Sequence, residues 1–115
     1  MANLAIRSFG ATLCGIVAAG VLIATIEWVG HQMAGWGSFA PFIAALLGYG
    51  VGGFIGALLA RHLAPRPAIA GWAVVAVLWL LAAINLFAFR HPDWFAPIGT
   101  AILGLAGWTA ARIKP

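Results

Sequence analysis

Long uncharged stretches alternate along this chain with short polar breaks. Residues 9–26, 39–60, 68–89 and 95–111 carry no charged side chain. Wound as helix at 1.5 Å per residue, each run measures about 25–33 Å, close to the thickness of a bilayer's hydrocarbon core. None alternates apolar and polar residues with period two, as a membrane barrel strand would. Four helical spans are therefore predicted, at approximately residues 8–30, 39–61, 68–90 and 94–112. The breaks are short enough to make successive spans antiparallel, and each span satisfies its backbone groups internally, as hydrocarbon requires. The predicted fold class is all-α: an integral membrane four-helix bundle of two antiparallel helical hairpins, forming one domain over residues 1–115.

Composition leaves few other classes. The chain is 64% hydrophobic and 7% charged, with a mean hydropathy of +1.07, whereas soluble domains carry about a quarter charged residues. Disorder would need low hydrophobicity and high charge. The only cysteine is Cys14, so no intramolecular disulfide or CxxC redox pair can form. The apolar run after Arg7 is longer than the h-region of a signal peptide and ends in Glu27-Trp28 without an A-x-A site, so it is expected to stay as the first span.

The few charges gain meaning once placed on the spans. Arg7, Arg61, Arg66, Arg112 and Lys114 fall on one side of the layout and Arg90 on the other. The positive-inside rule then puts both termini and the Arg61–Arg66 loop in the cytoplasm. A pI near 10.8 would suit a nucleic-acid binder, but these bases are single residues at helix ends rather than a patch. The expected partner is the lipid bilayer, with no nucleic acid. Trp28, Trp36, Trp72, Trp94 and Trp108 lie near span ends, where indoles anchor to the interface; Trp79 is mid-span and is expected to pack between helices.

Two patterns concern assembly. Phe39-Ala40-Pro41 opens the second span and Phe95-Ala96-Pro97 the fourth; Gly53, Gly56, Ala60 and Arg61 recur at the same spacing as Gly104, Gly107, Ala111 and Arg112. This suggests an internal duplication of helical hairpins. Along the second span Ala44, Gly48, Gly52, Gly56 and Ala60 recur every four residues on one face. Small residues at that spacing let helix backbones approach closely in lipid, with the partner either another helix of the chain or a second copy. A weaker version, Ala11, Gly15 and Ala19, lies on the first span.

The residues able to carry chemistry gather at the end opposite most of the bases. Glu27 and His31 share one helix face at i, i+4 spacing, and Asn85 is at similar depth on the third span. With Arg90, His91 and Asp93 they could form one polar cluster. Three readings apply. The cluster can be structural, with Glu27 paired to Arg90 or His31, because a carboxylate in hydrocarbon must be paired, protonated or hydrated. It can bind metal or haem through Glu27, His31 and His91, since imidazole and carboxylate suit a zinc-like ion. Or Glu27 can serve proton or cation exchange, the default hypothesis for an intramembrane carboxylate. No GxSxG, HExxH, P-loop or CxxC motif is present, so an enzyme is not expected.

Glu27-x-x-Gly30-His31, the arginine-terminated glycine helix, and Asn85 followed by His91-Pro92-x-Trp94-Phe95 resemble small four-span bacterial membrane proteins of unassigned function. That resemblance implies a multi-pass protein of the bacterial inner membrane and no particular activity or cofactor. Small multidrug transporters and fluoride channels are similar in length and span number; in the former the glutamate is nearer mid-span, and both carry weaker charge bias. The function expected from sequence is a non-enzymatic membrane subunit or self-associating scaffold, a homo-oligomer or part of a larger complex, packed through Gly48, Gly52 and Gly56. The alternatives are a small proton- or cation-coupled transporter or channel using Glu27, and a metal- or haem-binding membrane protein.

Overall fold

A computed structural model of the chain describes residues 2–33, 40–88 and 92–113, and every regular element among them is an α-helix. Trp36, Phe39, Arg90, His91 and Lys114 lie outside the described residues, and so do the expectations resting on them. The helices are α1 (Ala2–Gln32), α2 (Ala40–Leu63), α3 (Pro67–Ala88) and α4 (Phe95–Ala111). The first three are long and apolar enough to cross a membrane; α4 is apolar but shorter. Its 17 residues sit at the lower limit for a spanning helix.

Helices α2, α3 and α4 begin and end within about two residues of the expected span limits, whereas α1 begins well before residue 8. The loss of the uncharged run at Arg7 marks where hydrocarbon should end, not where the helix ends. Leu4, Ala5, Ile6 and Arg7 all tolerate helix well, so α1 continues through them. Pro67 opens α3, where its missing N–H costs no helical bond.

α2 packs against all three other helices, α3 also touches α1 and α4, and α1 and α4 make no contact among the described residues. Thus α2 and α3 occupy the short diagonal of an elongated body, 51 × 22 × 22 Å. Its outer surface is apolar: Phe9 is 70% and Phe87 95% exposed. Outward-facing Thr25, Thr100 and Thr109 turn their hydroxyls onto carbonyls four residues back, at 2.7, 2.8 and 2.7 Å. These bonds hide the polar groups within their own helices.

The small-residue stripe on α2 meets α1 of the same chain. A Cβ placed on Gly56 would stand 2.6 Å from the Gly15 carbonyl oxygen, one on Gly52 2.9 Å from the Ala19 carbonyl oxygen, and one on Gly48 3.3 Å from the Ile23 Cα. At the ends of the stripe Ala60 faces Gly15 and Ala44 faces Gly30. Two antiparallel rows of small residues mesh backbone to backbone. The stripe on which self-association was expected to rest is closed by α1, so a second copy would have to use another face.

α3 and α4 meet differently. Trp72 and Trp79 stack at 6.5 Å between ring centroids and lie over the glycines of α4. A Cβ on Gly104 would be 3.3 Å from Trp79 Cζ2, and one on Gly107 3.0 Å from Trp72 Cζ3. The Trp79 indole N–H donates to the Thr100 carbonyl at 3.1 Å. Trp79 therefore packs between helices as expected, and Trp72, read from sequence as an interfacial anchor, is also a packing residue.

Candidate functional site at the Glu27 end

Tyr49 organises the end of the molecule that carries Glu27. It lies on the part of α2 facing the other helices and is only 5% exposed. Side chains on a helix lean toward its N-terminus, which for α2 is the Glu27 end. The phenol hydroxyl consequently rises to the level of α1's last turns and α3's last turn. There the Asn85 side chain lies close by, and the Glu27 carboxylate is near enough for its charge to be felt. Three helices thus each bring one polar group toward this end of the bundle.

Glu27 itself is partly buried, and its charge also interacts with His31 one turn further along α1. His31 and Asn85 are exposed. The sequence placed Glu27, His31 and Asn85 at one end; in the structure Glu27 and Asn85 both influence Tyr49, and His31 is one turn from Glu27. Asp93 is exposed in the turn that starts α4, where the Phe95 N–H reaches the Pro92 carbonyl at 3.0 Å. Arg90 and His91 fall outside the described residues. In the sequence Tyr49 is a neighbour of the glycine face, able to supply a polar tip to the bundle. Its signal was available: it is the only tyrosine, set within a span made almost wholly of Gly, Ala, Leu and Ile.

A cavity of about 130 Å³ opens between α3 and α4 with Tyr49 in its wall. Trp79, Leu86, Phe95, Gly99 and Thr100 complete most of the lining. Phe95 is buried and meets Tyr49 edge-on at 6.0 Å and Phe42 at 5.8 Å. Gly99 provides the room, because a Cβ there would touch the Tyr49 ring at 3.5 Å. One side of Tyr49 is therefore an aromatic, apolar hollow, and its hydroxyl points to the polar group.

Metal ligation finds little here. Among the described residues no three His, Cys, Asp or Glu side chains come together, while a stable zinc site needs three or four protein ligands. Glu27 and His31 supply two, and the third candidate, His91, is outside the described residues.

At the opposite end Arg61, read from sequence as a loop-flanking topology residue, is buried in the last turn of α2 with 8% exposure. Its stem crosses α3 at Gly71, where a Cβ would be 2.7 Å from Arg61 Cγ, and its Nη2 donates to the Ala111 carbonyl of α4 at 3.2 Å. The guanidinium thereby caps the carbonyl end of α4. Arg112, its counterpart in the apparent repeat, is exposed and lies 4.5 Å over the Trp108 ring. Compared with known protein families, curated proteins and solved structures, the chain has no significant match.

Proposed function

We propose that this is a multi-pass protein of the bacterial inner membrane, a four-helix bundle with both termini cytoplasmic, whose working centre is a proton- or cation-binding group built on Glu27. The observation that carries this reading is Tyr49: a buried tyrosine on α2 with the Asn85 side chain of α3 close by and the Glu27 carboxylate of α1 near enough for its charge to be felt. A carboxylate facing hydrocarbon is costly, and a purely structural one would be expected to sit against a strong cationic partner. Among the described residues, His31 and Tyr49 are within reach of the Glu27 charge, a setting that suits a group able to exchange its counter-ion. Asn85 and His31, both exposed, give that group access to the surface. The uneven distribution of arginines supports the orientation, and the length and apolarity of α1–α3 support the membrane setting.

In this reading Glu27 holds the proton or cation, Tyr49 fixes the distance between α1 and α3, and Asn85 and His31 shape the entrance. The test is flux in proteoliposomes under an imposed proton or monovalent-cation gradient. The native protein should dissipate the gradient and Glu27→Gln should abolish the effect while the helical content stays the same. Unchanged flux in the variant would remove Glu27 from the mechanism.

A second reading, association with another copy or with a larger complex, keeps one specific observation. Gly20 is exposed on the outward face of α1 with nothing within 4 Å of its would-be Cβ, and exposed Ala24 follows one turn later. This is a small-residue face that no described helix covers.

A further inference from the structure

At the end of the molecule opposite Glu27, Arg61 meets no carboxylate among the described residues. Arg61 is more than nine-tenths buried, yet its Nε has no hydrogen-bond partner and its only recorded bond is the one from Nη2 to the Ala111 carbonyl. The acids of the whole sequence are Glu27 and Asp93, and both belong to the other end. Arg61, His62, Arg66 and Arg112 therefore lie at an end where no described residue has an acidic side chain.

Their placement is specific. Arg61 lies against Gly71 on α3 and Ala111 on α4, which fixes it at the corner of α2, α3 and α4. Arg112 is the residue after Ala111. Arg66 immediately precedes α3, and its carbonyl accepts from the Ala70 N–H at 3.2 Å, closing the first turn of that 22-residue helix. The first-turn N–H groups of a helix and its dipole both attract anions. The α4 carbonyl end partly offsets the Arg61 charge, but it is a partial charge facing a whole one. Guanidinium groups pair best with planar or tetrahedral oxyanions, and phosphate is the oxyanion available at the inner face of a bilayer.

We propose that the α2–α3–α4 corner is a phosphate site that holds the headgroup of an anionic phospholipid, with Arg61 as its buried element and Arg66 and Arg112 as its exposed arms. This site is independent of Glu27. It gives the short helix α4 an anchor at its carbonyl end, and it ties one lipid to the three helices that meet there.

The experiment is lipid retention on purified protein by native mass spectrometry, with phosphatidylglycerol competed against phosphatidylcholine. The native chain should retain phosphatidylglycerol with at least about tenfold preference. The double variant Arg66→Gln/Arg112→Gln should lose that preference, as should Arg61→Gln. Because Arg61 is buried and its loss can disturb folding, the exposed pair is the independent arm. Arg7→Gln, on exposed α1 away from the corner, should keep the preference. Equal retention of the two lipids overturns the proposal. So does a loss in Arg7→Gln as large as in the double variant, since that is the behaviour of a diffuse basic face. Inorganic phosphate supplies the last arm: displacement of the lipid by phosphate in native protein but not in the double variant supports the site and identifies free phosphate as a competing source, and failure of even high phosphate to displace it supports the lipid as occupant.

Discussion

Across the α1–α2 interface the glycines of one helix face backbone carbonyls, an α-carbon and the small or β-branched side chains of the other; across the α3–α4 interface indole rings lie over glycine. Both pairs use glycine, with opposite results. In the first hairpin glycine meets glycine, alanine or Ile23, and the backbones approach closely. In the second, Gly104 and Gly107 admit tryptophans, and past the rings the helices stay far enough apart to leave the cavity beside Tyr49. Lipid is as apolar as any side chain, so helices associate through packing rather than through exclusion of water. A meshed pair can therefore act as a rigid base, while a pair spaced by rings has room at one end. The candidate site lies where the rigid pair faces the spaced one.

The sharpest way to break this contrast is to thicken the meshed interface. Gly56→Leu forces a branched side chain against the Gly15 carbonyl and Ala19 Cβ, neither of which can yield without moving α1. Overpacking of this kind costs about 1–3 kcal/mol in soluble cores and more against backbone. The expected outcome is loss of the folded protein in a denaturing-detergent titration, by helical content and by recovery from membranes. If Gly56→Leu melted like the native chain, the α1–α2 mesh would not be the base described.

Much of this plan was legible in the sequence, for a physical reason. Uncharged runs of bilayer length give helices regardless of tertiary context, and the four-residue spacing of Ala44 to Ala60 announces a close contact without saying with what. The partner became visible only when Gly15, Ala19 and Ile23 were seen opposite, because in lipid an inward and an outward face can have the same composition. Glu27, His31 and Asn85 could be brought to one level by counting residues. Tyr49's part could not, since it depends on the lean of one side chain across two helices. The burial of Arg61 was not foreseen for a related reason: positive-inside statistics explain why an arginine ends a span, and so gave no cause to look for burial. Its signal was Gly71, a gap opposite a long stem, which can be recognised only once the register of α2 on α3 is known.

Tyr49→Phe tests the junction between the rigid and spaced halves with a smaller perturbation. It keeps the ring against Phe95 and Gly99 and removes the hydroxyl that lies toward Asn85 and feels the Glu27 charge. Hydrogen bonds between transmembrane helices contribute about 0.6 kcal/mol on average, so the expected loss of stability is small. Any Glu27-dependent flux should fall much further than the stability does, because the carboxylate loses the group that sets its position between α1 and α3. Equal, slight effects on both would make Tyr49 a packing residue only and would separate the cavity from the Glu27 group.

The smallest effect on folding is expected from Gly20→Leu, on the same helix as Gly15 and of the same chemistry as Gly56→Leu, but on the open face. A Cβ at Gly20 meets nothing within 4 Å, so the new side chain displaces lipid rather than backbone. Leucine is a better helix former than glycine by up to about 1 kcal/mol, and the melting of the chain should stay the same or rise slightly. The variant thereby separates glycine as a spacer from glycine as a contact: two identical substitutions within the first hairpin should differ by the full cost of the meshed interface. It also decides what the outward face of α1 does. If a second copy packs there along Gly20 and Ala24, chemical cross-linking of native protein in membranes should yield a dimer that Gly20→Leu abolishes without loss of fold. If the cross-linking pattern is the same in both proteins, lipid covers that face, and the association reading loses the observation that supported it.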